Sequence, residues 1–280
     1  MQYLSMSKTL KLKDLHSYPE YGAFICGNQI QLDVSKENFI SVINVFNQIE
    51  AAKAYLFANS EFPDSSWNTK IARDIFWEQS MHGILQENAG VNLKDFQNED
   101  KFFSYLGKSA IFTAKRGDQD YYFFPIPAID YLSHEKIKAY NLSGETVELT
   151  PKQEDFENHR SYQYQDLTTR GTVEFRSVCA QPFDRTFISA AFHLGILANL
   201  ENVQKYLQEA DFFKKEGRNY KQLRQKFSKK KISRSAATHV RNFANDLIQL
   251  AIVGLEARKN NEEFYLKDLI ANEKKNNKKS

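Results

Sequence analysis

The stretch Arg170-Gly171-Thr172-Val173-Glu174-Phe175-Arg176-Ser177 sets one carboxylate and two guanidinium groups at alternating positions. Read as an extended strand, it turns Arg170, Thr172, Glu174 and Arg176 to one face and Val173 and Phe175 to the other, and Val178, though out of step with that alternation, is expected on the core side as well. A charged row of this kind can line a polar cavity, or it can face bulk water on a half-buried strand. The apolar helical segment Phe187 to Leu197 that follows it favours the lined cavity.

Other elements must bring a second polar row up to this one. Phe24 to Val34 reads as a strand with Ile30, Leu32 and Val34 on one face and Gln29, Gln31 and Asp33 on the other. Ser35 is the expected N-cap of a helix whose stripe is Phe39, Val42, Ile43, Phe46 and Ile49. Arg73, in Ile71 to Trp77, has two readings: a surface pair with Asp74 or Glu78, or a group facing the site. Residues 94 to 107 read as helix. Ser109 to Ala114 and Asp120 to Pro125 read as a hairpin around Lys115-Arg116-Gly117-Asp118, with tyrosines serving the core or cross-strand pairs. Asn141 to Leu167 is polar and turn-rich and reads as a long loop. From Asp184 onward the pattern is helical: Phe187 to Asn199, Val203 to Phe213, Tyr220 to Phe227 and Ala236 to Arg258.

Several separated motifs resemble the glutamate-cysteine ligase and carboxylate-amine ligase superfamily, in order, from about Tyr21 to about Leu269. Thr172 to Ser177 with Gln181-Pro182-Phe183 resembles its signature strand. Leu56-Phe57-Ala58-Asn59-Ser60-Glu61-Phe62 is similar to its Leu-Phe-Ala-Asn-Ser-Pro-Phe turn, with Glu61 in place of Pro. Ile71 to Trp77 supplies the Arg followed by Trp, Asp155 to His159 resembles Asp-Trp-x-x-His, and Ala251 to Leu266 is similar to the closing Ala-x-x-Gly-Leu-x-x-Arg helix. Two positions depart further: Cys179 stands where the family commonly has Asp, and Thr168 where some relatives have a basic residue, a role Arg170 could take from the same strand face.

What the resemblance implies is an α+β fold, with an antiparallel sheet that forms part of a glutamine-synthetase-like ligase funnel and is backed by a helical C-terminal half. That sheet is expected to bear the strands at 24 to 34, 111 to 124 and 172 to 178. It implies Glu174 as a magnesium ligand, Arg176, Arg73 and Arg170 as catalytic cations, and Gln29, Gln31, Asn59 and His159 as substrate-binding groups. The implied reaction activates the γ-carboxylate of glutamate with ATP as an acyl phosphate and passes it to an amine, cysteine above all. Such transfer needs positioning and neutralisation of phosphate charge, hence magnesium, carboxylates and a few cations.

Glu20 is the sole Glu ahead of the Gln29 strand, and no Glu-x-Glu strand precedes it. The expectation is therefore a chain matching the C-terminal part of the catalytic domain. A separately encoded N-terminal half, pairing with the open sheet edge, would complete it. The alternatives are a catalytically inactive truncated relative that binds an amino acid or nucleotide, and a basic helical binding module at Lys214 to Arg234.

Composition bounds these readings. The 280 residues are 41% hydrophobic with a net charge of +3, enough for a sizeable core and too balanced to demand a nucleic-acid partner. The basic cluster carries no recognisable nucleic-acid-reading module and reads as a solvated helix face. No apolar run long enough for a membrane or a signal peptide is present. Cys26 and Cys179 have no metal spacing, which suits a reducing cytoplasm. Residues 1 to 270 are expected as one domain, with a disordered basic tail over 271 to 280.

Overall fold

The computed structural model describes residues 25–64, 66–158, 161–267 and 269. The chain opens with β1 (Gly27–Asp33), α1 (Phe39–Gln48), α2 (Glu50–Phe57) and α3 (Ala72–Glu78), then β2 (Ala89–Gly90) and α4 (Glu99–Leu106). Next come β3 (Ala110–Arg116), β4 (Gln119–Pro127), α5 (Ala128–Tyr131), β5 (Ile137–Asn141) and β6 (Thr146–Leu149). After β7 (Tyr162–Gln163), β8 (Gln165–Leu167) and β9 (Thr172–Cys179) the chain is helical: α6 (Thr186–Ala198), α7 (Leu200–Glu209), α8 (Asp211–Glu216), α9 (Tyr220–Phe227) and α10 (Arg234–Arg258). The class is α+β, and the two larger sheets are antiparallel. No described helix is long and apolar enough to cross a membrane.

The residues gather into two compact units: Arg73–Gly90 with Phe96–Gln163, and Cys26–Ala72 with Val91–Asp95 and the chain from Tyr164 onward. In the first, β3-β4-β5-β6 form a four-stranded meander. The expected hairpin is present, with Arg116 paired to Gln119. Gly117 sits at φ 58° in the first loop position, where a two-residue hairpin turn demands positive φ. Tyr122 is buried and stacks on its register partner Tyr140 at 5.8 Å, so these tyrosines serve the sheet.

Two expectations about strands are corrected. The hairpin at 111 to 124 does not join the sheet of β1 and β9: β3 and β4 run on through β5 and β6 as a separate four-stranded sheet. Nor is 141 to 167 a loop: it holds β6, a 3-10 turn over Gln153–Asn158, β7 and β8. Polar composition misled there because the end strand β6 turns Thr146 and Glu148 to water and keeps only Leu149 buried.

In the second unit the order is β1-β9-β8, all antiparallel. Val173 and Phe175 are fully buried, and the Phe175 ring lies 4.2 Å from Phe46 of α1 and 5.0 Å from His193 of α6. Each such side chain contributes roughly 1.5–3 kcal/mol by leaving water. Asn28 reaches the same side, donating to Ser189 Oγ (3.1 Å) and the Thr186 carbonyl (3.2 Å). The expected N-cap differs: helix α1 begins at Phe39 after a turn on the Ser35 carbonyl, and the Asn38 side chain accepts from the Ser35 amide. The helix expected over 203 to 213 is broken at Ala210, which is extended at ψ 122°.

Candidate functional site

A β-bulge sets the site. On β1 and β9 the register passes from Ile30 opposite Phe175 to Asn28 opposite Val178, so Arg176 and Ser177 together oppose Gln29. One extra residue resets the side-chain alternation. Phe175 and Val178 are therefore both buried although three positions apart, and the Arg176 side chain stays with Glu174 on the opposite face.

That face carries the residues expected from sequence. Gln31 lies opposite Glu174, and Asp33 opposite Thr172. Arg170 donates through Nη2 to Gln31 Oε1 at 2.8 Å, and the hydroxyls of Thr168 and Thr172 are 2.7 Å apart. Arg176 Nη2 donates to Glu174 Oε2 at 3.1 Å and lies 3.6 Å from Asp166 Oδ2. Glu174 is 6% exposed, whereas Gln29 and Gln31 are exposed.

Asp166 was not singled out from sequence. It stands opposite Glu174 on β8 and is 7% exposed. Its signal was the outward position in Gln165-Asp166-Leu167, hidden by treating that stretch as loop. Arg170 is corrected too: it lies in the turn between β8 and β9, where Gly171 takes φ 77° and its amide bonds the Thr168 carbonyl. The strand starts at Thr172, yet the Arg170 side chain still reaches the face.

The remaining candidates are Arg73, Asn59 and His159. Arg73 is on α3, in the other unit, and is buried rather than on an exposed helix surface. Asn59 donates to the Ala180 carbonyl at 2.7 Å and so ties the end of β9 to the turn after α2. His159 lies outside the described residues, as do 1 to 24 and the tail from 270. Asp155 of the same motif is occupied structurally, receiving Arg116 and the Tyr131 hydroxyl.

The basic stretch does not form one presented face. Arg224 is 2% exposed and bonds Glu50. Lys226 pairs with Glu216, and Lys230 donates to the Phe62 carbonyl and faces Glu61. A cleft of about 420 Å³ among α7, α8 and α10, lined by Tyr206, Asp211, Lys215 and His239, shares no residue with the polar face.

No protein-family model and no curated protein matches this chain. What the site offers must therefore be read from its own groups. Two carboxylates at opposed register positions repel, and taking them from water is costly. Arg176 between them offsets both effects. The result is a polar sheet surface with three acids (Asp33, Asp166 and Glu174), two guanidinium groups and two exposed amides, able to bind a zwitterion or a phosphate with its cation.

Proposed function

We propose that this chain carries part of the catalytic surface of an ATP-dependent carboxylate-amine ligase, with glutamate as the activated acid and cysteine or another small amine as acceptor. In this reading the sheet is one wall of a glutamine-synthetase-like funnel, and the protein works in the cytoplasm. The observation that supports it is a single shared face: Glu174, Arg176, Gln29 and Gln31, drawn from two strands nearly 150 positions apart, stand together with Asp166 and Arg170.

Each group then has a role. Gln29 and Gln31 present amides that both donate and accept, suited to the ammonium and carboxylate of an amino acid. Arg170, steadied by Gln31, offers a cation at the hairpin end. Arg176 supplies a preorganised charge for phosphate or acyl oxygens. Hard carboxylate oxygens suit magnesium, and Glu174 and Asp166 are the two that would hold it; it keeps water and phosphate oxygens as further ligands. The pair is not a cage by itself: no group of three or more His, Cys, Asp or Glu placed to hold a metal occurs among the described residues. The rest of the shell would come from ATP and from outside the described residues. Magnesium, when bound, would neutralise phosphate charge as the γ-phosphoryl group passes to the glutamate carboxylate.

Titration of the full chain with magnesium-ATP and with glutamate tests the reading, alongside phosphate release in the presence of cysteine. Saturable binding of both with slow turnover is expected, and turnover should rise if a complementing chain is added. Binding without turnover under any condition would assign the protein to the inactive relatives. Absence of binding to both ligands at millimolar concentration rejects the proposal.

A further inference from the structure

Beneath the polar face, on the side of the sheet covered by helices, lies a cluster of ionised side chains that no role above uses. The Glu50 carboxylate on α2 is fully buried and receives Lys53 Nζ and Arg224 Nη1, each at 2.6 Å, and the Gln165 amide. Burial alone would raise the Glu50 carboxyl; Lys53 and Arg224 outweigh it and hold the group below its ordinary range. A buried ion cluster is weak evidence for stability, since well-packed apolar groups do as well or better. Its retention calls for another use, and its contacts name one.

Arg224 brackets Arg176. Its Nη2 donates to the Ser177 carbonyl at 2.9 Å, within the bulge, and its guanidinium lies 4.6 Å from the ring centre of Tyr164. The Tyr164 carbonyl in turn accepts the Arg176 backbone amide at 3.0 Å. Gln165, held by Glu50 and by the Phe46 carbonyl at 3.3 Å, immediately precedes Asp166. The network thus grips the backbone on both sides of Arg176 and beside Asp166.

We infer that Glu50 is a positioning residue: through Arg224 and Gln165 it fixes the β9 bulge and strand β8, and thereby sets the Arg176 guanidinium between Asp166 and Glu174. The placement itself does not depend on what the face binds; its consequence for magnesium-ATP rests on the proposed function.

The test uses the full chain with Glu50→Met, Lys53→Met and Arg224→Met combined, an apolar replacement that leaves no unpaired charge in the core, and Gln165→Leu as a milder variant. Backbone amide exchange is followed at Arg176 and Val173, with magnesium-ATP binding measured in parallel. Exchange at Arg176 should speed up at least tenfold in the triple variant and several-fold in Gln165→Leu, with Val173 unchanged and magnesium-ATP affinity reduced tenfold or more. Arg176 protection unchanged in Gln165→Leu and the triple variant overturns the inference. So does loss of protection at Val173 and Arg176 alike, or a triple variant that fails to fold, since either outcome makes the cluster a general stabiliser. If the parent protein does not bind magnesium-ATP while Arg176 exchange responds as expected, the ligase reading fails and the positioning role stands.

Discussion

Asp166 and Glu174 stand directly across the β8–β9 ladder, and one guanidinium, that of Arg176, reaches both at 3.6 and 3.1 Å. Like charges in opposed positions weaken a sheet, and their side chains are only 9% and 8% exposed. A sheet built for stability alone would place a neutral pair there. Departures from local consistency of this kind concentrate at working sites.

Glu174→Gln and Asp166→Asn should each weaken magnesium-ATP binding about tenfold or more, equivalent to roughly 1.4 kcal/mol. Lys214→Ala is the control, since Lys214 is exposed and its ion pair among the described residues is with exposed Asp211. Lys230 would be a poor control because it ties down the Phe62 carbonyl. Calorimetric titration of the three variants decides; equal affinities across them would remove the face from the site.

Glu50→Gln leaves Lys53 and Arg224 without their carboxylate in the core. Breaking a buried pair from one side costs about 3–5 kcal/mol. Urea unfolding should show that loss in Glu50→Gln and a much smaller one in the triple methionine variant, where no charge is stranded.

Acid sensitivity should begin near neutrality. His193 is fully buried, stacks on Phe46 at 5.1 Å, faces Phe175, Phe192 and Lys53, and bonds the Ser189 carbonyl through Nδ1. Burial first, and the Lys53 charge second, hold its pKa well below the ordinary 6.5. The unfolded chain therefore takes up a proton near pH 6.5 that the folded chain refuses. Stability from this group is complete above 6.5 and falls by up to about 1.4 kcal/mol per pH unit below it, until the folded pKa is reached. Glu50, shifted downward from 4.5, adds a further loss only below pH 4.5. Urea midpoints between pH 7 and 5 should fall in the parent protein and stay flatter in His193→Leu.

Gly195→Ala should destabilise by about 1–3 kcal/mol, as overpacking does. A Cβ at Gly195 would lie 2.3 Å from the Ala251 carbonyl oxygen, and one at Gly254 would lie 2.1 Å from that of Gly195. Helices α6 and α10 cross backbone to backbone at this point. Thermal unfolding of Gly195→Ala and Gly254→Ala measures it.

Much of the helical half was legible in sequence, because amphipathic stripes and punctuation coincide there: the stretch Tyr220 to Phe227 is helix α9 to the residue. The hairpin of β3 and β4 was legible for the same reason, its Gly117-Asp118 turn lying between apolar runs. Strands β6 and β8 were not. Each is short and at least half polar in composition, so it resembles a loop until a neighbouring strand is present to pair with.

Local order alone determined which residues of β1 and β9 point together, since alternation is a property of the backbone and needs no partner: Gln29 with Gln31, Glu174 with Arg176. Tertiary structure decided the rest. It set the register that brings Gln31 opposite Glu174, supplied the bulge that keeps Val178 inside, added Asp166, and put Arg73 in the other unit. The reason is physical: hydrogen-bond ladders and buried charges are satisfied only by partners distant in sequence, and no single segment carries that information.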